Sequence, residues 1–297
     1  MMKRLAKFLL ILLGVLAALL LVAVIGFRSL NRTNGTMVSS GEKRSYLLHV
    51  PEAYDPAVPT PLVISIHGYA EWPAHQMQIS HWNDLADQYG FIVVYPAGTD
   101  LPMRWRLQGG TNPDLTFISD LIDQLEEQYN IDPARIFANG LSNGGGMSFV
   151  LSCELSGRIA AVGMVSGAYL LPWDECQPAR KVPMIVFHGT ADGIVPYYGG
   201  PSRSFDLPFP NIPEWIGMAS ERNGCSGTPE EIPSSGDVSG LRYTGCEADL
   251  VFYTITGGGH AWPGGDPMPE WIVGYTTDDI DATRTMWEFF EAHPRGF

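Results

Sequence analysis

One serine of the chain lies in a glycine-rich turn of the kind that presents a catalytic nucleophile. Ser142 is the central residue of Gly140-Leu141-Ser142-Asn143-Gly144, which fits the pattern G-x-S-x-G and occurs once in the chain. A strand-like segment precedes the turn and a helix-like segment follows it, and in this context the pattern raises a serine hydroxyl above the edge of a sheet. The flanking glycines allow the backbone to turn sharply. The pattern therefore predicts a nucleophilic serine, with a glycine-rich turn and an incidental serine as the alternative.

A carboxylate and a histidine follow this serine along the chain. A serine hydroxyl is a weak nucleophile until a histidine takes its proton, and a carboxylate orients that histidine. Asp192 and His260 each follow a strand-like segment, in the chain order that this architecture requires. We predict Asp192 as the acid and His260 as the base. Asp174 is the alternative acid, and His188 is expected to hold the acid loop by hydrogen bonds.

The loop after the strand that ends at Ile66 is a candidate for stabilising negative charge on a substrate oxygen. In this architecture, that loop and the residue after the nucleophile each supply a backbone N–H to the oxyanion. We therefore predict an oxyanion hole formed by Gly68 or Tyr69 together with Asn143. An ordinary turn at a strand end is the alternative for this loop.

The elements that must position these residues alternate between strand and helix patterns from residue 37 onward. Apolar residues at spacings of three and four indicate a helix over 114–129, and a second helix over 281–292 is expected to close the fold. Several strand-like segments are continuous β-branched apolar runs, which is typical of strands buried on both faces. The pattern predicts an α/β fold with a mostly parallel central sheet, helices on both faces, and ligand sites at the carboxyl ends of the strands. The strand candidates are Ser45–Val50, Pro61–Ile66, Phe91–Tyr95, Arg135–Ala138, Ala160–Val165, Val182–Phe187 and Leu250–Thr256.

The first 27 residues differ from the rest of the chain. Basic residues precede an uncharged run from Phe8 to Phe27, which has about the 20 residues that a helix needs to span a bilayer. The basic flank predicts that the following chain is exported. A retained signal anchor is favoured over a cleaved signal peptide, because the run is long and ends without a good cleavage site. Residues 28–36 are predicted to form a polar tether, and residues 37–297 one catalytic domain.

Composition excludes several classes of protein. The net charge is −14, with 18 Lys plus Arg against 32 Asp plus Glu, which argues against binding to nucleic acid phosphates. The four cysteines form no C-x-x-C pair, so a zinc site is not expected. The pairing that closes the shortest loops, Cys153–Cys176 with Cys225–Cys246, is predicted, and free buried thiols are the alternative.

Together these segments resemble exported α/β-hydrolase esterases related to polyhydroxybutyrate depolymerases and to feruloyl or acetyl xylan esterases. The resemblance implies the α/β-hydrolase fold and a triad of Ser142, Asp192 and His260, the same residues that chain order indicates. Cys225 and Cys246 also look like a cysteine pair of that family. The matching segments are Ile66-His67-Gly68, Phe91–Pro96, Ile131–Ile136, Gly140–Gly145, His188–Tyr197 and Gly257–Gly264.

Two features bear on the substrate. The family often carries Trp-Asn-x-Gly before the helix at 114–129, whereas this chain has Arg104–Gly110 there, a segment expected to line the acyl pocket. Trp72, Trp105 and Trp262 are expected near the site, where aromatic rings could stack on a sugar or a phenolic acid. Packing in the core or in a lid is the alternative for each tryptophan.

The predicted function is that of a serine carboxylic ester hydrolase that acts through an acyl-enzyme on extracytoplasmic esters of the feruloyl, acetyl or hydroxyalkanoate type. Its substrate is a small or polymer-linked ester, and no metal ion or cofactor is expected. Membrane contact is expected only through the N-terminal segment, with the catalytic domain outside the cytoplasm, or secreted if residues 1–27 are cleaved. The alternatives are a serine peptidase of the same fold and a non-catalytic surface-binding protein on a hydrolase scaffold.

Overall fold

A computed structural model describes residues 2–30, 32–202 and 205–296, which contain ten strands and eight helices. The strands are β1 (Gly35–Ser39), β2 (Glu42–His49), β3 (Thr60–Ile66), β4 (Ile92–Pro96), β5 (Ile131–Leu141), β6 (Val162–Val165), β7 (Met184–Gly189), β8 (Glu230–Ile232), β9 (Val238–Tyr243) and β10 (Leu250–Ile255). The helices are α1 (Met2–Leu30), α2 (Pro73–Ser80), α3 (Trp82–Tyr89), α4 (Pro113–Gln128), α5 (Asn143–Glu154), α6 (Ile212–Arg222), α7 (Glu270–Val273) and α8 (Ala282–Glu291).

All ten strands form one sheet in the order β1-β2-β4-β3-β5-β6-β7-β10-β9-β8. The six central strands, from β4 to β10 in this order, are parallel, and antiparallel strands flank them on both sides. Successive side chains of a strand point to opposite faces, so Leu62 and Ile64 belong to one buried cluster and Val63 to another. Helices α4, α5 and α6 pack into the first cluster, and α3 and α8 into the second. The predicted fold class is therefore confirmed.

The seven predicted strands are all present, with ends that shift by a few residues. The largest difference is β5, which extends through Ile131–Leu141 and ends immediately before Ser142. In α4 the predicted apolar stripe is buried, and in α8 Met286, Phe289 and Phe290 face the core as expected. The edge strand β8 and its neighbour β9 are not predicted, because none of the three residues of β8 is buried and only two of the six residues of β9 are.

The predicted tether is too long at both ends. Helix α1 continues to Leu30, and β1 begins at Gly35, so both elements enter the segment 28–36. Position 31 lies outside the described residues. Strand β1 is held by antiparallel pairing with β2, in which Gly35 lies opposite Tyr46. Backbone pairing of this kind leaves little trace in the hydropathy of an exposed edge strand.

Helix α1 is uncharged from Phe8 to Phe27 and lies outside the core. The segment Lys7–Gly26 has a mean hydropathy of 3.3, and none of it is buried. The helix is long and apolar enough to cross a membrane, and a signal sequence has the same length and composition. Together with the disulfides, this helix indicates an exported protein.

Two disulfides confirm the predicted pairing. Cys153 at the end of α5 is bonded to Cys176 in the loop after β6, across 23 residues. Cys225 after α6 is bonded to Cys246 between β9 and β10, across 21 residues. The first bridge therefore fixes the far end of the helix that begins at Ser142.

Replacing Cys153 and Cys176 together by alanine should lower the free energy of unfolding by about 3 kcal/mol, because the unfolded chain loses a cross-link that closes a loop of this size. Urea denaturation of the full-length protein in detergent measures the change. The paired replacement of Cys225 and Cys246 should cost a similar amount, since its loop has 21 residues. An unchanged denaturation midpoint in either double variant would contradict the expectation.

Candidate active site

Ser142 occupies a strained turn between β5 and α5. Its backbone has φ 58° and ψ −119°, a region that non-glycine residues rarely adopt and that is found at functional sites. The Ser142 N–H donates to the Val165 carbonyl at 2.9 Å, and the Ser142 carbonyl accepts from Ala168 N–H and Gly146 N–H at 2.9 Å each. The strand, turn and helix predicted around the serine are all present. The loop after β6 thus holds the turn in its strained conformation.

Three glycines allow this turn to pass beneath β3 and the loop after β6. A Cβ on Gly140 would lie 2.6 Å from the Ile66 carbonyl oxygen, and one on Gly144 would overlap the same oxygen. A Cβ on Gly146 would overlap the Ala168 carbonyl oxygen. Gly146, which is additional to the G-x-S-x-G pattern, is therefore required by packing.

Asp192 and His260 meet at the carboxyl ends of the neighbouring strands β7 and β10. Asp192 Oδ2 accepts from His260 Nδ1 at 2.8 Å. The other carboxylate oxygen, Oδ1, accepts from the backbone N–H groups of Ile194 and Val195 at 2.9 and 2.8 Å. Because Nδ1 is the donor to Asp192, the neutral imidazole has its lone pair on Nε2, the atom that a general base uses.

Asp192 and His260 each stabilise the charged form of the other. Burial by itself would lower the pKa of His260, but the charge of Asp192 and the hydrogen bond to it outweigh burial and raise that pKa. Burial would raise the pKa of Asp192, but His260 and the hydrogen bonds to the carboxylate lower it. Asp192 is therefore ionised, and His260 accepts a proton more readily than an ordinary histidine.

The other acid and base candidates lie elsewhere. His188 is buried, and its Nε2 is 2.9 Å from the Val195 carbonyl oxygen and 3.5 Å from Asp192 Oδ2. Burial lowers the pKa of His188, so the ring is neutral and holds the acid loop, as predicted. Asp174 is exposed, and it is not the carboxylate that contacts His260.

Ser142 and His260 line one cavity of about 600 Å³. Tyr69 and Glu71 lie on its wall, and Glu71 is the only carboxylate among the described residues that line it. The remaining wall is mainly apolar. It includes Ile194, Val195, Pro196, Phe205, Phe209, Met268, Ile272 and Val273.

The structure corrects one predicted oxyanion donor. The Gly68 N–H donates to Glu71 Oε2 at 2.9 Å, so Gly68 does not offer this group to a substrate. Tyr69 lines the cavity and is the remaining candidate in this loop. Asn143 is the first residue of α5, where backbone N–H groups lack partners within the helix. Its side chain is fixed by two hydrogen bonds to the backbone of Trp105.

The predicted tryptophans do not form the substrate wall. Trp105 and Trp262 are 1% and 2% exposed, and their indole N–H groups donate to the His67 carbonyl oxygen and to Thr283 Oγ1. Trp72 is half-buried and lies at the start of α2. None of the three belongs to the wall of the catalytic cavity. Their positions along the chain are near the site, but core packing determines where the rings point.

Two further differences concern the substrate region. The predicted acyl-pocket segment contributes Arg104–Gln108 to a separate cavity of about 540 Å³, which shares Phe205 with the catalytic cavity. Sequence reasoning also missed Trp271, which is 86% exposed and precedes the wall residues Ile272 and Val273. An aromatic residue shortly after the base was the available signal, but α7 has only four residues and no clear pattern.

A model of the family described as "Esterase PHB depolymerase" matches residues 44–194, which is half of the chain. The feruloyl esterase C of Emericella nidulans is 29% identical over 269 residues, covering 88% of this chain and 87% of that protein. A bifunctional acetylxylan esterase/xylanase of Neocallimastix patriciarum is 35% identical over 150 residues, which is 50% of this chain and 22% of that protein.

Solved structures agree on the fold. The acetyl xylan esterase from Aspergillus awamori superposes with a TM-score of 0.61 at 17% identity, covering 84% of this chain and 94% of that one. The predicted resemblance and the predicted enzyme class are both confirmed by these relatives. The chain therefore belongs to the esterase PHB depolymerase family and is a carboxylic ester hydrolase.

Proposed function

We propose that this protein hydrolyses esters through an acyl-enzyme on Ser142, with His260 as general base and Asp192 as the carboxylate that orients it. The 2.8 Å bond between Asp192 and His260 is the observation that carries the proposal, because it leaves Nε2 of a buried histidine as the proton acceptor. Ser142 lines the same cavity as that histidine. The strained backbone of Ser142 supports the role of nucleophile.

The reaction follows from these positions. His260 takes the proton of Ser142, and the serine oxygen attacks the ester carbonyl carbon. The protonated His260 then gives its proton to the leaving alcohol, while the acyl group stays on Ser142. Water then attacks the acyl carbonyl carbon and gives a proton to His260, which returns this proton to the Ser142 oxygen as the bond to the acyl group breaks and the acid leaves. Asp192 stabilises the imidazolium in both halves of the reaction.

The oxyanion of each tetrahedral intermediate is assigned to the backbone N–H groups of Tyr69 and Asn143. Asn143 begins a helix of 12 residues, whose N-terminus carries partial positive charge. Fixed donors aimed at developing charge are among the largest contributions to acyl-transfer catalysis. The bonds between the Asn143 side chain and Trp105 hold that donor in place.

The cavity supports an apolar acyl group larger than acetyl. Its volume of about 600 Å³ is in the range of small-molecule sites, and its wall is mainly apolar. An aromatic acyl group of the feruloyl type fits this chemistry, and hydroxyalkanoate esters are the second choice. The exposed ring of Trp271, which directly precedes the wall residues Ile272 and Val273, supports a polymer-linked substrate, since it offers a stacking surface beyond the acyl group.

The two alternatives find less support. A peptidase that binds a charged amino end needs a free carboxylate in its cavity. Glu71, the carboxylate among the described lining residues, is already bonded to Gly68 N–H and faces His75 at 3.7 Å. A non-catalytic binding protein has no need of a bonded acid and base beside a strained serine.

For localisation, we propose that α1 is retained as an anchor and that residues 37–297 form the catalytic domain outside the cytoplasm. The length and the mean hydropathy of 3.3 over Lys7–Gly26 support a membrane span. Disulfides at Cys153–Cys176 and Cys225–Cys246 support an oxidising compartment.

Replacing Ser142 by alanine should lower kcat on p-nitrophenyl esters by about 10⁴–10⁶-fold, because no other group forms the acyl-enzyme. Labelling of the full-length protein by a fluorophosphonate should disappear in the same variant. Ser152→Ala is the matched control, since this hydroxyl lies in the same helix and its contacts are the Phe149 carbonyl oxygen and, at 4.0 Å, Cys153 Sγ, both outside the cavity wall. Labelling that persists in Ser142→Ala would place the nucleophile elsewhere, and faster cleavage of amides than of esters would favour the peptidase.

Activity should fall as the pH is lowered through the raised pKa of His260, because the imidazolium cannot accept the Ser142 proton. The acid limb of kcat/KM is therefore expected above about 6.5, the ordinary pKa of histidine. Asp192→Asn should move this limb to lower pH and reduce kcat by about 10⁴-fold. In Asp266→Asn, which changes an exposed carboxylate bonded to His81 and Gln78, the limb should not move. A limb well below 6.5 in the unmodified protein would contradict the assignment.

Trp271→Ala should raise KM for feruloyl esters linked to a sugar chain by about 3–10-fold, which corresponds to the loss of one aromatic stacking contact. The KM for p-nitrophenyl acetate should stay the same, because this small ester does not reach beyond the cavity. The thermal midpoint should not change, since the ring is 86% exposed. Equal changes in KM for both esters would show that the ring does not contact the extended substrate.

A further inference from the structure

Glu71 lies on the wall of the catalytic cavity, and the reaction described above leaves it without a role. It is located between β3 and α2, three residues after Gly68, and its side chain is half-buried. Both Ser142 and His260 line the same cavity. Burying a charged carboxylate in a mainly apolar wall costs free energy unless hydrogen bonds or ion pairs compensate. The contacts of Glu71 therefore bear on its role.

Two side chains hold the two peptide groups on either side of the Gly68 Cα. Glu71 Oε2 accepts from the Gly68 N–H at 2.9 Å. His67 Nδ1 donates to the Gly68 carbonyl oxygen at 2.7 Å, and His67 Nε2 accepts from Gly98 N–H at 3.0 Å. Burial lowers the pKa of His67 to about 4, so this ring stays neutral near neutral pH.

These contacts determine where the Tyr69 N–H points. The Gly68 carbonyl and the Tyr69 N–H belong to one planar trans peptide, so they point in opposite directions. His67 holds this peptide at the Gly68 carbonyl, and Glu71 holds the preceding peptide at the Gly68 N–H, so little rotation remains at Gly68 between them. The proposed oxyanion donor is therefore oriented by side chains that do not contact the oxyanion.

Three titratable side chains surround His260. Asp192 lies against Nδ1, neutral His188 lies 3.5 Å from Asp192 Oδ2, and Glu71 lines the same cavity as His260. Burial would raise the pKa of Glu71, but its pairing with His75 and the hydrogen bond from the Gly68 N–H outweigh burial and lower it. Glu71 is thus ionised, and its negative charge adds to that of Asp192 in favouring protonated His260.

We propose that Glu71 is a positioning residue of the esterase site, which fixes the Gly68 N–H, one peptide before the group that presents the Tyr69 N–H, and supplies a second negative charge near His260. The inference rests on the proposed function, because it assigns Glu71 a task in the same reaction. The bond between Glu71 and the Gly68 N–H removes one predicted oxyanion donor. In this proposal the same bond helps to orient the other donor, the Tyr69 N–H.

Two substitutions in the full-length protein separate the two tasks. Glu71→Gln keeps an oxygen for the Gly68 N–H and removes the charge. It should move the acid limb of kcat/KM to lower pH and change the plateau kcat by less than about threefold. Glu71→Ala removes both, and its plateau kcat should fall by about 10²-fold, as for the loss of an oxyanion donor, with a much smaller change in KM. Glu270→Gln is the control, because it removes an exposed carboxylate from α7 beside the same cavity.

The rate of fluorophosphonate labelling against pH provides a second readout that does not depend on the natural substrate. An unshifted limb in Glu71→Gln, an equal shift in Glu270→Gln, or an unchanged plateau kcat in a folded Glu71→Ala would each overturn the proposal. Should Glu71→Ala fail to fold, as judged by thermal unfolding, the profile of Glu71→Gln decides. Full activity in Ser142→Ala would instead overturn the proposed function, so the two failures are distinguishable.

Discussion

The close approach of the Ser142 turn to β3 is the constraint on which the site depends. Only glycine fits at Gly140 and Gly144, because a Cβ there would meet the Ile66 carbonyl oxygen. This contact forces the backbone at Ser142 to a φ of 58°, and hydrogen bonds to Val165 and Ala168 hold it there. The hydroxyl is thereby raised at the carboxyl edge of the sheet. The same approach brings the start of α5 next to the loop that carries Tyr69.

The parallel sheet solves the remaining problem of bringing distant residues together. Strands β7 and β10 are neighbours, with His188 opposite Thr254, so the loops that follow them emerge side by side. Asp192 and His260 therefore meet at 2.8 Å, although 68 residues separate them along the chain. Burial strengthens the interaction between the Asp192 carboxylate and the His260 N–H, because little water is present to screen the charge. Beside the pair, mainly apolar side chains line the cavity that we propose for the acyl group.

Sequence alone predicted the parts of this arrangement that chain order and hydropathy encode. The buried strands show as β-branched runs, the turn at Ser142 as a glycine pattern, and the disulfides as short loops. Side-chain direction is not encoded in this way, so Trp105 and Trp262 were placed near the substrate although both rings pack in the core. The hydrogen bond from the Gly68 N–H to Glu71 is not predictable from the sequence either, because a contact between a side chain and a nearby backbone group produces no sequence pattern. Edge strands such as β8 are not predicted from the sequence, because the pairing of exposed backbone leaves no apolar periodicity.

The central claim is that an acyl group resides on Ser142 during turnover, and mass spectrometry of the acid-quenched protein tests it directly. The full-length protein is mixed with p-nitrophenyl butyrate at a pH above the acid limb, where His260 accepts the Ser142 proton, and is quenched in acid within the first turnover. With p-nitrophenol as a good leaving group, formation of the acyl-enzyme is expected to be faster than its hydrolysis. The account predicts an added butyryl mass on the peptide that contains Ser142, formed in step with a burst of p-nitrophenol. Steady release of p-nitrophenol with the acyl mass on a different residue would contradict it.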